Sequence, residues 1–371
     1  MNEISKAYQQ SVKESNMRMV FRLIHRNTII SRADIKKITS LSASTVSSLV
    51  EELIENGYVT ECGFKKTKSC GRKPVMLKIN GDGGYFLSLD IHKEHINFEM
   101  FTLDYVLRNS FAVPFSAGTN LANIIIQNLI DICKQYKILA ITIGVPAVIN
   151  PVNNTIISST VLSSENAKDL YADISEAFKD ISIFLKNNSG LIALAEKEFG
   201  THKDNNNIVS IDINDGVGAG VLIDSCIYDG NGVAGEFGHM SIDFMGKKCK
   251  CGGFGCLELY ASIPAILEQT QFTSLSELSQ HISKSADFTK LETSAKALAF
   301  GINNIVNLLD PEVIVIGGKV TQLGDAFLNL VKKYYSAISF IKEKTIEFSS
   351  IKGNPVTMGA AKYSFDMLFG N

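Results

Sequence analysis

Asn214-Asp215-Gly216-Val217-Gly218-Ala219-Gly220, Gly235-Glu236-Phe237-Gly238-His239 and Cys249-Lys250-Cys251-Gly252-Gly253-Phe254-Gly255-Cys256-Leu257-Glu258 fall within one run of 45 residues. Its last piece sets three cysteines within eight residues with glycines between them, so the thiolates can converge on one ion while the backbone turns tightly around it. The histidine nearest to them is His239, ten residues before Cys249. His239, Cys249, Cys251 and Cys256 make a Cys3His set, which describes a closed, tetrahedral, structural zinc site. The alternative is a group of buried or disulfide-forming cysteines, and Cys-x-Cys is too short for an easy disulfide. Glu236 lies three residues before His239 and Glu258 two after Cys256, so a loop folded around metal also fixes two carboxylates close together. Carboxylates held that way accept charge-assisted hydrogen bonds from hydroxyls, which is how a protein grips a sugar; otherwise they are solvated surface acids.

Outward from this run the chain reads as alternating strands and helices. Tyr85–Ile91 is nearly all apolar and so predicts a central strand, with further strands over 96–103, 106–115, 138–143 and 181–185 and a helix over 121–136. Then the order begins again, with strands at Ile208–Ile213, 221–224 and 226–228, a long helix over 291–309 and a strand over 313–316. The stretch from Gly216 to Gly220 reads as a tight turn kept for folding, in preference to a residual phosphate loop. Two lobes with one order of elements predict a duplicated α/β body with a ligand crevice near strand ends.

Length and composition bound the rest. A chain of 371 residues with 45% hydrophobic residues suggests two or three globular domains. No apolar run of about 18 residues occurs and no signal-peptide pattern opens the chain, so a cytoplasmic protein is expected. Seven cysteines, three of them grouped, fit metal binding in a reducing compartment better than a disulfide framework. The net charge of −2 hides a division: residues 1–80 carry 14 Lys and Arg against 7 Asp and Glu, the remainder 22 against 31. A basic head on an acidic body points to a polyanion partner for the head.

The head has the corresponding pattern. Residues 17–27 predict an amphipathic helix; Ser31 can cap a second helix from Arg32 to Ile38, and Ser42 a third in which Val46, Leu49, Val50, Leu53 and Ile54 recur at helical spacing. A basic hairpin through Lys65, Lys66, Lys68, Arg72 and Lys73 follows, which completes a winged helix-turn-helix. Its DNA contacts would come from Arg32, Ser42, Ser44, Thr45, Ser47, Ser48 and Lys73, with Arg72 reaching an adjacent minor groove. A helical dimerisation or docking module is the alternative.

In these motifs the chain resembles the ROK family of bacterial sugar kinases and sugar-responsive transcriptional repressors, in its repressor branch. The resemblance rests on the amino-terminal head with Gly71-Arg72-Lys73-Pro74, on Gly144-Val145-Pro146, on the three pieces quoted above, and on Asn307-Leu308-Leu309-Asp310-Pro311 leading into Val315-Ile316-Gly317-Gly318. It implies an α/β fold with an actin-like, hexokinase-type (ribonuclease H-like, duplicated) body, zinc on His239, Cys249, Cys251 and Cys256, and sugar contacts by Asn187, Glu236, His239 and Glu258. One imidazole can serve both, a ring nitrogen to each.

The family's kinases follow their first strand with Asp-x-Gly-Gly-Thr, whose glycines let the backbone approach phosphates; here Asp90-Ile91-His92-Lys93-Glu94 stands there. The family's Asn-Asp pair, whose Asp is the catalytic base, becomes Asn187-Asn188, and an amide cannot take that proton. Val161-Leu162 replaces an Asn-Leu of the sugar pocket, and Ala147 a glycine.

The reading is therefore a non-enzymatic, zinc-containing, DNA-binding repressor of carbohydrate genes, acting on operator DNA as a homodimer or tetramer and controlled by a sugar in the cleft. Its domains are expected at 1–80 (winged helix-turn-helix) and 81–371 (ROK domain, lobe one about 81–190 plus the carboxy-terminal helix, lobe two about 191–355). The rivals are a sugar kinase with an appended head and a regulator answering to a protein partner.

Overall fold

The computed structural model describes residues 3–64, 74–159, 161–167, 169–285 and 288–370. The chain forms two compact units: Met1–Gly144, Leu162–Leu185 and Ala360–Asn371 make one, Val145–Val161 and Lys186–Gly359 the other.

The first unit begins with helices α1 (Glu3–Arg26), α2 (Arg32–Thr39) and α3 (Ala43–Glu55). Ser31 Oγ accepts the Asp34 N–H at 3.2 Å and Ser42 Oγ that of Thr45 at 3.1 Å, so both expected caps form. Ser40, at φ 58, stops α2. Val20, Phe21, Ile24, Ile35, Val46, Leu49, Val50 and Leu53 are the buried residues of these helices. The first helix starts well before residue 17; residues 9–15 are exposed, so that extension leaves no apolar periodicity to read. Strands β1 (Ile30–Ser31), β2 (Val59–Phe64) and β3 (Val75–Ile79) pair in the order β1-β3-β2.

This head is packed directly onto the lobe that follows it. The Phe21 ring lies 4.6 Å from Phe369, 5.7 Å from Phe365 and 5.8 Å from Tyr58, between centroids. His25 sits 4.3 Å from Phe365 and 5.0 Å from Tyr105, with Nε2 3.1 Å from the Leu103 carbonyl. Burial pushes its imidazole below the usual range, and the ring packs among aromatic neighbours. Lys137 donates to the Asn56 carbonyl at 3.0 Å and stands over the Tyr58 ring. A Cβ on Gly83 would lie 2.1 Å from the Gly57 carbonyl oxygen, so glycine is needed where head and lobe touch.

That lobe is a five-stranded sheet in the order Ser182–Asn187, Ile138–Val145, Tyr85–Ile91, His95–Thr102, Leu107–Pro114. Tyr85–Ile91 pairs antiparallel with the strand after it and parallel with Ile138–Val145. The second unit repeats the arrangement. Its sheet runs Cys226–Ile227, Val217–Ile223, Ile208–Ile213, Val313–Gly317, Thr345–Phe348, a three-strand meander extended by two parallel strands. The repeat reaches individual residues: Leu87-Ser88-Leu89-Asp90-Ile91 corresponds to Val209-Ser210-Ile211-Asp212-Ile213, Asp90 pairs with Gly144 and Asp212 with Gly317. Ser88 and Ser210 are both buried, and both hydroxyls lack a hydrogen-bond partner among the described residues.

Ile211, Ile213, Ile314 and Ile316 on one face of the second sheet share a core with Leu298, Ile302 and Ile305 of the helix Glu292–Leu309 and with Phe327 and Val331 of Gly324–Ile338. The other face is covered by Asn188–Phe199, through Ala193. The expected turn from Gly216 to Gly220 is corrected here: the turn closes at Asn214–Gly216, where the Asn214 N–H meets the Gly216 carbonyl, and Val217–Ile223 is strand. Gly220 serves helix packing instead, since a Cβ there would lie 1.9 Å from the Ser189 carbonyl oxygen. No helix among the described residues is long and apolar enough to cross a membrane.

Candidate functional site

The second unit carries the cysteine loop. His239 closes the short helical turn Phe237–His239, and Cys256 directly precedes Leu257 and the helix Glu258–Ala261. Between them the chain folds back on itself: Ile242 N–H donates to the Gly255 carbonyl, Leu257 N–H to Met240, Cys249 N–H to Gly253 and Gly255 N–H to Lys247. Gly252 and Gly255 take φ 97 and φ 62, and a Cβ on Gly255 would lie 1.7 Å from the Asp243 carbonyl oxygen. The loop therefore closes only with glycine at that position.

The donor atoms of His239, Cys249, Cys251 and Cys256 all lie within 4.8 Å of one another. Cys251 Sγ is 3.5 Å from Cys256 Sγ, and Cys249 Sγ 3.8 Å from His239 Nδ1. Tetrahedral zinc with Zn–S near 2.3 Å separates its ligands by about 3.8 Å, so four soft donors in this arrangement fit a closed metal site. Burial pushes the Cys249 thiol up and the Cys256 thiol up to about 12, while the Gly253 backbone hydrogen bond lowers Cys251. A cation is the group that would draw the protons off such a cluster.

Two carboxylates converge on the same place. Glu258 Oε1 lies 3.1 Å from Cys249 Sγ and 3.4 Å from His239 Nδ1. Glu236 is half-buried; burial raises its pKa, the His239 charge opposes the rise and Glu258 adds to it. Asn187 is used differently. Its Oδ1 caps the helix Asn188–Phe199 by accepting the Ser189 N–H at 2.8 Å, and its Nδ2 donates to the Ala147 carbonyl at 2.9 Å. The amide thus holds the end of the strand Ser182–Asn187 against the chain that leads into the hairpin Val148–Asn150 and Thr155–Ser158.

A pair missed from the sequence adjoins these groups. Lys186, next to Asn187, forms an ion pair with Asp229, and both side chains are mostly buried. Asp229 opens the turn that reaches Glu236, its carbonyl accepting from Gly232 and Ala234. Gly232 comes so near the hairpin that a Cβ would lie 2.1 Å from the Ile149 carbonyl oxygen. No spacing rule joins Lys186 to Asp229, 43 residues apart.

The kinase positions are filled by other chemistry. In the first unit Asp90 is buried, with its Oδ2 2.7 Å from His92 Nε2. His92 stacks on His95 at 4.3 Å and lies 3.1 Å from Asn97 Nδ2. The His92 N–H donates to the His95 carbonyl at 2.9 Å, closing the hairpin in place of a cradle of free amides for phosphate. In the second unit Asn188 is the first residue of its helix, with no ionisable side chain to act as base.

In the head, Ser42, Ser44 and Ser48 are exposed and Thr45 and Ser47 half-exposed. The Ser42 hydroxyl also bonds those of Ser44 and Thr45, each at 2.8 Å. Arg32 is held at 2.9 Å by Glu61. Arg72, Lys73 and the rest of the basic hairpin, residues 65–73, lie outside the described residues.

A three-helix head, a duplicated α/β body and a loop of four candidate metal ligands together define the class of protein to which this chain is similar. The chain belongs to the ROK family, whose pattern matches residues 86–363. It is 30% identical to the xylose repressor of Caldicellulosiruptor bescii over 96% of this chain and 97% of that one. It is 32% identical to the xylose repressor of Bacillus subtilis, over 89% of each. The crystal structure of a ROK family transcriptional regulator homologous to E. coli MLC superposes with a TM-score of 0.83 at 24% identity over 97% of each chain, so the shared fold includes the head.

Proposed function

We propose that this ROK protein is a transcriptional repressor of carbohydrate genes: the head is a winged helix-turn-helix that binds operator DNA, and the body binds a sugar that alters that binding. The observation that carries this reading is the pairing of a head packed on its lobe with a body whose phosphate loop is closed by the His92–His95 rung, while the carboxylates at the metal loop are retained. In the site, zinc on His239, Cys249, Cys251 and Cys256 supplies rigidity. Glu236 and Glu258 accept from sugar hydroxyls, His239 contributes its second ring nitrogen, and Asn187 shapes the adjoining wall. Two relatives named for xylose make xylose the first sugar to test.

In the head, the amino-terminal end of α3 with Ser44, Thr45, Ser47 and Ser48 faces the major groove, because its exposed far end carries Glu51 and Glu55, which repel phosphate. Ser42 and Arg32 set the approach of α3, and the charges of Arg72 and Lys73 add affinity for the DNA backbone. Two heads on a palindromic site require at least a dimer.

Fluorescence anisotropy with DNA from around the protein's own coding region, repeated with xylose and other sugars, tests the whole reading. Tight binding to one fragment that shifts with one sugar supports it; DNA binding that no sugar alters removes the effector, and no DNA binding at all removes the repressor. Ser44→Glu is expected to weaken DNA binding about tenfold or more by placing a carboxylate against phosphates, with sugar affinity unchanged by calorimetry. Glu258→Gln is expected to leave DNA binding intact and weaken the sugar about 10- to 100-fold, the value of a charge-assisted hydrogen bond. Unchanged sugar affinity with unchanged metal content would remove Glu258 from the site.

A further inference from the structure

Asp229 and Glu236 bound the stretch Gly230-Asn231-Gly232-Val233-Ala234-Gly235, which has no charged side chain and three glycines, at φ 56, 103 and 91. No residue from Gly230 to Glu236 is buried, and Val233 is 59% exposed. Apolar burial therefore does not hold this turn, and a glycine-rich segment left to itself samples many conformations. It is anchored at its ends instead. At the far end the Ala219 N–H donates to the Gly235 carbonyl at 3.0 Å, and a Cβ on Gly235 would lie 2.1 Å from the Ala219 carbonyl oxygen. At the near end the Asp229 carbonyl accepts the N–H groups of Gly232 at 2.8 Å and Ala234 at 3.4 Å, while the Asp229 carboxylate pairs with Lys186. A Cβ on Gly190 would lie 3.9 Å from Asp229 Oδ1, so the carboxylate also stands beside the first turn of the helix Asn188–Phe199, the end that favours negative charge.

We infer that Lys186 and Asp229 are the positioning residues of the sugar site: their ion pair holds the turn that presents Glu236 and ties it to the strand end that carries Asn187. The tether rests on this geometry alone, and its use rests on the sugar reading proposed above. Lys186 directly precedes Asn187, whose Nδ2 meets the Ala147 carbonyl, so one cation links the wall of the pocket to the turn that carries its carboxylate. Lys186, Asn187, Ala147, Asp229 and Glu236 all belong to the second unit. An ion pair in open water contributes little, because solvent screens both charges. Here the two side chains are only 18% and 26% exposed, so the attraction is less screened and either charge left alone is costly. The contact it serves is sensitive to position. A hydroxyl-to-carboxylate hydrogen bond runs near 2.7 Å and is lost beyond about 3.5 Å, so a shift of Glu236 by roughly 1 Å removes it.

The test compares the full-length wild type with Lys186→Met combined with Asp229→Asn, and with Lys186→Arg. The neutral double variant keeps the shape of both side chains and leaves no charge unpaired, so its circular dichroism, metal content and DNA affinity are expected to match wild type. Hydrogen exchange of the ligand-free chain over residues 230–236 is expected to be about tenfold faster or more in that variant, with the strands of the core unchanged. Calorimetry with D-xylose, or with whichever sugar of the panel binds wild type, is expected to show affinity about tenfold weaker or more, the effect of losing an outer partner that orients a contacting group. Lys186→Arg restores the cation and is expected to stay within about threefold of wild type in both measurements. Unchanged exchange in the neutral variant, unchanged sugar affinity despite faster exchange, or a loss in Lys186→Arg as large as in the neutral variant would overturn the inference. If no sugar binds wild type while exchange over 230–236 still depends on the pair, the tether stands and the sugar reading falls; if sugar binds all three proteins alike, the sugar reading stands and the positioning role falls.

Discussion

Cys256→Ser is expected to abolish metal binding, collapse the loop between His239 and Glu258 and eliminate the response to sugar. Cys256 is buried at the junction where the loop rejoins the body: its neighbour Leu257 hydrogen-bonds to Met240 and sits in the core of the second unit. A hydroxyl in its place is a poor ligand for a soft-donor site and removes one of four anchors, which costs more than the 10- to 100-fold in affinity typical of an outer-shell change. The remaining Cys249 and Cys251 then hold a loop whose glycines favour many conformations, and Glu236 and Glu258 lose their common position. Metal analysis is expected to fall from one ion per chain to none, with a melting temperature lower by several degrees and sugar calorimetry without heat. DNA binding is expected to persist, since the head belongs to the other unit. Retention of the metal and of the sugar response would show that zinc has no part in either.

Phe21→Ala is expected to cost about 3–5 kcal/mol, because its ring is fully buried and cannot be replaced by collapse from three sides held by Tyr58, Phe365 and Phe369. Hydrogen exchange would report the loss across α1 and α3 and along the carboxy-terminal helix Pro355–Phe369. Since Phe21 also belongs to the core of the head, Phe369→Ala provides the companion measurement: it opens the contact from the lobe side and leaves the helices of the head intact. If the packing of head on lobe transmits the sugar signal, Phe369→Ala keeps DNA affinity within a few fold but loses most of the sugar-induced change. An unaltered sugar effect would mean that the signal travels by another route.

Much of this site could be read locally. The cluster that could hold a metal is legible because its cysteines sit within eight residues and soft ligands so spaced have few other uses. The departure from the kinases' glycine loop is legible from His92-Lys93-Glu94, because bulky side chains stand where a cradle needs glycines. The caps at Ser31 and Ser42 are legible because capping is decided within three residues. The stretch from Gly216 to Gly220 misled for a physical reason. Glycine's lack of a side chain serves a turn and a close helix approach equally well, and only the position of the Ser189 carbonyl distinguishes them.

The sequence alone therefore determined the family of fold, the cluster of His239, Cys249, Cys251 and Cys256 that could hold a metal, and the bulky residues at the kinase loop, since each depends on spacing within a short segment. Only the tertiary structure decided that Glu258 reaches Cys249 and His239, that Lys186 meets Asp229, that Asn187 reaches the Ala147 carbonyl, and that Phe21 rests on Phe365 and Phe369 at the far end of the chain. These contacts join residues whose separation along the chain carries no period or motif. They exist because two sheets and their helices close around buried apolar faces, and burial brings together whatever polar groups those faces carry at their edges.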